Sequence, residues 1–110
     1  MTPSTAKALA ASIAKWKRNT RVKTPTGVKI GASVCPLCVM FHPFDKRAPC
    51  VGCPVFAKTG EPGCGGSPYG DAEVAFDAWD DVDDRAAAEA FRAAAQAEVA
   101  FLESLVEAPE

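Results

Sequence analysis

Four cysteines form two Cys-x-x-Cys pairs, and their residue type and spacing point to metal chemistry. Cys35 and Cys38 make the first pair, Cys50 and Cys53 make the second, and eleven residues separate them. A Cys-x-x-Cys pair in a tight turn directs two thiolates at one metal ion, and two such pairs complete a tetrahedron. The spacing therefore predicts a metal site that is held by four thiolates.

A fifth cysteine and the single histidine leave the ligand set open. Cys64 follows in a Gly-Cys-Gly-Gly segment and could replace one of the four paired thiolates. His42 lies four residues after Cys38 and could serve in a mixed site, although a lone loop histidine is more often a polar surface residue. We predict that four of the five cysteines bind the metal: Cys35, Cys38, Cys50, Cys53 and Cys64.

The same cysteines fit more than one metal. Zn²⁺ is the expected ion for four thiolates in the absence of other ligand signals. An iron–sulfur cluster, or a single iron ion in a rubredoxin-like site, would use the same ligands. The chain lacks the dense cysteine run of bacterial ferredoxins, so zinc leads. Iron or an iron–sulfur cluster, with a redox or sensor role, is the alternative.

Other uses of the thiols fit the sequence less well. An odd number of cysteines and the lack of an apolar signal segment argue against a disulfide scaffold. A redox dithiol needs a helix after the pair, and Pro43 and Pro54 follow the two pairs closely.

No nucleophile and base are placed together by the sequence, so we expect a protein that is not an enzyme. No segment is apolar enough to span a membrane, and we expect a cytoplasmic location.

Helical patterns are expected at both ends of the chain. Thr2 and Pro3 begin a helix that should stop near Asn19, with Leu9, Ile13 and Trp16 on one face. Residues 28–30 alternate and predict a short strand. Residues 35–70 are rich in Pro and Gly and show no lasting periodicity, so a metal would have to hold them in place.

The C-terminal part predicts a short helix and then a long one. Residues 69–81 should present Val74, Phe76 and Trp79. A longer helix begins near residue 83 and carries an apolar stripe of Phe91, Ala95, Val99, Leu102 and Val106. We expect the first and last helices to pack together through Leu9, Ile13, Trp16, Phe91, Val99, Leu102 and Leu105. The predicted fold is mainly α, with two amphipathic helices around a metal-stapled, loop-rich cysteine region and little β structure.

The charge is divided between the two halves of the chain. Residues 1–58 contain ten Lys and Arg residues and one acid, whereas residues 59–110 contain thirteen acids and two Arg residues. Glu103 and Glu107 near the end of the last helix are expected to attract a cation from the first helix. The basic half also supports nucleic-acid binding as an alternative function. Its candidate residues are Lys15, Lys17, Arg18, Arg21 and Lys23.

The cysteine pattern resembles that of a group of small, uncharacterised bacteriophage and prophage proteins. The shared pattern is C-x-x-C, C-x-G-C-P-V, T-G and then C-x-G-[ST]-P-Y, and it lies within residues 35–69 here. The resemblance implies a phage-associated metal-binding protein and makes Cys64 part of the motif. The matching positions are Cys35, Cys38, Cys50, Gly52, Cys53, Pro54, Val55, Thr59, Gly60, Cys64, Gly66, Ser67, Pro68 and Tyr69.

These observations together predict one domain over residues 1–110. It would contain a basic helix over 1–19, a connector and cysteine region over 20–70, and an acidic helical region over 71–110. The predicted function is a structural zinc protein that binds a host or phage protein without catalysing a reaction. Nucleic-acid binding and a redox or sensor role are the two alternatives.

Overall fold

The first helix, α1, spans Pro3–Asn19, and its boundaries are those that the sequence predicts. The computed structural model describes residues 2–30, 35–41, 53–60 and 66–106. Thr2 caps α1 because its hydroxyl oxygen accepts a hydrogen bond from the backbone N–H of Thr5 at 3.1 Å. Leu9 and Trp16 are buried on one face, as the apolar spacing indicates.

The last two helices form an apolar pair. The helix α4 spans Tyr69–Asp81 and α5 spans Arg85–Glu103. Asp84 caps α5 by accepting a hydrogen bond from the N–H of Ala87 at 2.8 Å. Trp79 of α4 stacks on Phe91 of α5 with 5.6 Å between ring centroids, and Phe76 meets the same ring edge-on at 6.3 Å.

The described part of the chain is mainly helical, and α5 lies between two packing partners. It packs against α4 on one side and α1 on another, so the predicted pairing of the first and last helices is confirmed. Lys17 of α1 lies 4.0 Å from Glu103 of α5, and this is the cation that the acidic helix end predicted. Arg92 of α5 also donates to the carbonyl of Val22, which ties the connector to the bundle.

The predicted strand over residues 28–30 is wrong. A 3-10 turn covers Pro25–Gly27, and the described residues contain no strand. The Asn19 side chain makes both backbone hydrogen bonds of Lys29, at 2.9 and 3.0 Å, which a neighbouring strand would otherwise make. A side chain at the end of α1 therefore replaces a sheet partner.

Two further expectations about the cysteine region and the helix faces need correction. Short helices, α2 over Pro36–Phe41 and α3 over Pro54–Thr59, occur where the sequence predicts only irregular structure. Val106 is 55% exposed and lies outside the buried stripe in which it was predicted, and Val74, predicted to act with Phe76 and Trp79, is 70% exposed. Among the described helices, none is both long and apolar enough to cross a bilayer.

Candidate metal centre

Cys35 and Cys53 occupy equivalent positions at the starts of two short helices. Each is the residue before a helix whose first position is a proline, Pro36 in α2 and Pro54 in α3. The carbonyl of Cys35 accepts from Val39 N–H at 2.8 Å, and that of Cys53 accepts from a residue four positions later at 3.0 Å. The chain therefore repeats one local structure around a cysteine of each pair.

The prolines explain why short helices form here. A proline is compatible with the first turn of a helix, where its missing N–H has no intrahelical role. Pro54 follows its cysteine pair directly, as a helix breaker would, but it begins α3 instead. Leu37 and Val55 follow these prolines and are almost fully buried, so each short helix is anchored in the core.

Both described thiols are inside the protein. Cys35 is 6% exposed and Cys53 is 4% exposed, and both belong to the same buried cluster. Cys38 lies in α2, three residues after Cys35. Cys50, Cys64 and His42 lie outside the described residues, so the full ligand set stays a prediction. Within the described residues, no three His, Cys, Asp or Glu side chains form a group that could hold a metal ion.

The surroundings of Cys35 include polar groups as well as the apolar core. The Ser12 hydroxyl oxygen lies 4.0 Å from the Cys35 sulfur. Ser12 and Lys15 of α1 and Glu98 of α5 are all buried, with Lys15 4% and Glu98 2% exposed. Lys15 Nζ also lies 5.0 Å from the ring centroid of Trp16. Buried charges are rare in helix interfaces unless they are paired or serve a site.

Glu98 has the most perturbed environment in this cluster. Burial raises the pKa of Glu98 from 4.5 to about 7, and the charge of Cys35 adds to the increase. Lys15 and a hydrogen bond with Ser67 lower the pKa of Glu98 and partly offset that increase. One carboxyl oxygen, Oε2, has no hydrogen-bond partner within the described part of the chain. A buried acid in this state is typical of functional sites as well as of structural networks.

Ser67 connects Glu98 to the segment that follows Cys64 in the sequence. Gly66 has φ of 78°, a left-handed conformation that favours glycine. The Ser67 hydroxyl accepts from the N–H of Tyr69 at 3.2 Å and also bonds to Glu98. The Tyr69 ring meets Trp16 edge-on at 6.0 Å. This gives structural roles to Gly66, Ser67 and Tyr69 of the C-x-G-[ST]-P-Y pattern.

Ser12, Ser67 and Glu98 are not among the site residues that the sequence predicts. Glu98 carried a signal, because it lies seven residues after Phe91 and four before Leu102 on the apolar stripe of α5. A carboxyl at a core position of a helix would have been a reason to look for a site. Ser12 offers a weaker signal, since serine is often tolerated in helix cores.

The predicted nucleic-acid residues divide into two groups. Lys15 is buried, whereas the other four lie at exposed positions. Asn19, which falls between them, is also buried and holds the backbone of Lys29. The exposed cations are Lys17, Arg18, Arg21 and Lys23.

No family model, curated protein or solved structure matches the chain. The resemblance to phage proteins therefore stays a prediction, and the functional argument depends on the residues themselves.

Proposed function

We propose that this chain is a small metal-binding protein in which the paired cysteines hold a structural Zn²⁺. The observation that carries the proposal is the equivalent burial of Cys35 and Cys53 at the starts of two short helices. Each belongs to a Cys-x-x-Cys pair, and both lie in one buried cluster. Four thiolates from two such pairs are the ligand set of a closed structural zinc site.

The polar surroundings of Cys35 support a thiolate over a buried neutral thiol. A free buried cysteine behaves as a small hydrophobic residue and is normally surrounded by apolar side chains. The Cys35 sulfur instead lies 4.0 Å from the Ser12 hydroxyl, and its charge acts on Glu98. A hydroxyl donor stabilises a thiolate, which is the form that binds metal.

We propose that four of the five cysteines are ligands. The pairs Cys35 with Cys38 and Cys50 with Cys53 are the simplest set, and Cys64 is the fifth candidate. The hydrogen bond between Ser67 and Glu98 supports Cys64, because it holds a residue three positions later in the buried polar cluster. An iron ion or an iron–sulfur cluster on the same thiolates is the alternative cofactor.

The role that we propose is a non-enzymatic protein-interaction module, encoded by a phage and acting in the cytoplasm of its host. Its partner would be a host or phage protein. The resemblance of the cysteine pattern supports the phage origin, and the lack of a recognisable catalytic constellation in the sequence supports a binding role. A metal that fixes short helices would give the module a rigid surface.

The experiment that tests the metal proposal is metal analysis by mass spectrometry with a visible spectrum. Untagged protein is purified without oxygen, with Cys35→Ser and Cys53→Ser variants prepared in parallel. About one zinc per chain, no visible band and loss of metal in both variants is the expected result. Bound iron with a thiolate charge-transfer band would instead support the iron or iron–sulfur alternative. Wild-type protein without bound metal would contradict the proposal.

Nucleic-acid binding is a second candidate function, and the exposed cations favour it. Lys17, Arg18, Arg21 and Lys23 lie in or just after the last turn of α1 and face solvent. Phosphate contacts of this kind weaken steeply as salt rises. A gel-shift series at increasing salt tests the function, and an absence of binding even at low salt would exclude it.

A further inference from the structure

The buried stripe of α1 has a small polar residue at its centre. The stripe contains Thr5, Leu9, Ser12, Trp16 and Asn19, whose spacing alternates between four and three residues and places them on one side of the helix. Leu9 and Trp16 belong to the apolar core. Ser12 lies between them and is only 1% exposed. A hydroxyl at this depth requires a hydrogen-bond partner.

The other two polar residues of the stripe have partners close to the helix ends. The Thr5 hydroxyl lies 2.9 Å from that of the capping Thr2. The Asn19 side chain makes both backbone hydrogen bonds of Lys29. Helix capping and support of the connector therefore account for Thr5 and Asn19, whereas Ser12 needs a separate explanation.

The Ser12 hydroxyl is directed away from its own helix. Hydroxyl side chains in helices often donate to the carbonyl three or four residues earlier. At helix ends of this chain, the residues that do so are Thr20, Thr59 and Ser104. Within the described residues, the hydrogen-bond partner of Ser12 is instead the Cys35 sulfur, 4.0 Å away and 23 residues later in the sequence.

Metal binding would fix the direction of this hydrogen bond. Either atom can be the donor while the Cys35 sulfur carries a proton. A cysteine that binds a metal does so as a thiolate, so the Ser12 hydroxyl must then donate. Hydrogen bonds to a charged acceptor are roughly twice as strong as those between neutral groups. The fold holds the two groups together, because α1 packs against α2, the helix that begins directly after Cys35.

We propose that Ser12 is the hydrogen-bond donor to the Cys35 thiolate of the metal centre, so that α1 supplies a positioning residue to a site whose ligands lie in the cysteine region. This inference rests on the proposed metal site and names a residue that tunes it. Ser12 acts through Cys35, by orienting its sulfur and withdrawing electron density from it. Groups that contact metal ligands in this way commonly change metal affinity by about 10- to 100-fold.

The test compares wild type with Ser12→Ala and Ser12→Thr. The affinity for Zn²⁺ is measured at one fixed pH by competition with a chromophoric chelator. Ser4→Ala is the matched control, because it makes the same chemical change at an exposed position of the same helix. Ser12→Ala should fold, since it removes one oxygen and alanine has the highest helix propensity. We expect Ser12→Ala to weaken binding about 10-fold and Ser4→Ala to bind like wild type.

The spectrum of the Co²⁺-loaded protein separates a hydrogen bond from a packing effect. A donated hydrogen bond withdraws electron density from a thiolate. Its loss in Ser12→Ala should therefore move the sulfur-to-cobalt charge-transfer band to longer wavelength. Ser12→Thr keeps the hydroxyl and should keep the wild-type band. Loss of packing alone would weaken binding without moving the band.

The outcomes distinguish the metal site from the role of Ser12. If wild-type protein binds neither Zn²⁺ nor Co²⁺, the proposed function and this inference both fail. If wild type binds metal but the Ser12→Ala band coincides with that of Ser4→Ala, the metal site stands and the inference is overturned, whatever the affinity. A Ser12→Thr band that shifts as far as that of Ser12→Ala would also overturn it, because the hydroxyl would then not be the cause.

Discussion

The two interfaces of α5 are built from different chemistry. Toward α4, the buried side chains are apolar, with Trp79 stacked on Phe91 and Ala72 fully buried nearby. Toward α1, the interface buries Ser12, Lys15 and Glu98, and the Cys35 sulfur lies 4.0 Å from the Ser12 hydroxyl. One helix therefore has an ordinary hydrophobic interface and a polar one.

The difference indicates which interface stabilises the protein and which serves a site. Apolar burial contributes about 25 cal/mol for each Å² removed from water and needs no compensating partner group. Buried charges oppose folding unless partners compensate them. Natural proteins depart from the rules of core packing mainly at functional sites. We therefore expect the α4 side to be stable by itself and the cysteine side to depend on the metal that we propose.

Metal removal should have the largest effect, and it should fall on the polar interface. Structural zinc in small domains contributes on the order of 10 kcal/mol to folding. We expect chelation to lower the thermal midpoint sharply and to change the fluorescence of Trp16, which is measured in a Trp79→Phe variant. A chelated protein with an unchanged thermal transition would contradict the role of the metal and the contrast between the interfaces.

Truncation of the central aromatic residue should have the next largest effect, and it tests the apolar interface. Phe91 is fully buried between Phe76 and Trp79, so Phe91→Ala should cost about 3–5 kcal/mol in the free energy of unfolding. Val74→Ala is the control, since Val74 is exposed and should change stability by less than about 0.5 kcal/mol. Chemical denaturation measures both, and the metal bound per folded chain should not change.

Replacement of Glu98 should change how stability depends on pH. The folded pKa of about 7 lies above the unfolded value of 4.5, so the folded state holds the proton more tightly between these values. The wild type therefore loses stability as pH rises through this window, by about 3 kcal/mol in total, and the loss persists above it. Glu98→Gln cannot ionise and lacks this loss.

The measurement for Glu98 is a difference between two proteins. Denaturation of wild type and Glu98→Gln near pH 5 and near pH 8 cancels the contributions of the other titratable groups, which both proteins share. We expect the free energy of unfolding of Glu98→Gln to increase relative to that of the wild type as pH rises. A difference that stays constant across this range would show that Glu98 does not titrate there, and would weaken the description of the polar interface.

The helical scaffold was predictable from sequence because its signals are local. A cap at Thr2, a proline at Pro3 and an apolar spacing are sufficient to define α1, and Asp84 marks the start of α5 in the same way. The approach of a cation to Glu103 was also predictable, since an uncompensated helix end attracts opposite charge. These features need no knowledge of distant contacts.

The candidate site was less predictable because it depends on contacts between distant segments. The two cysteine pairs were evident from their spacing, but the polar groups near Cys35 come from α1, α5 and the segment before α4. The short helices were not predictable because Pro43 and Pro54 indicate breaks when the burial of Leu37 and Val55 is unknown. The strand at residues 28–30 was wrong because Asn19 supplies its hydrogen bonds.

The ion pair between Lys17 and Glu103 should have the smallest effect, and it sharpens the contrast with Lys15. The atoms are 4.0 Å apart and both side chains are about half exposed, so water and salt screen their attraction. A double-mutant cycle with Lys17→Gln and Glu103→Gln should give a coupling below about 0.5 kcal/mol that vanishes in high salt. A coupling above about 1 kcal/mol would mean that the exposed end of α1 matters to stability. The exposed Lys17 and the buried Lys15 could then no longer be distinguished by whether they contribute to stability.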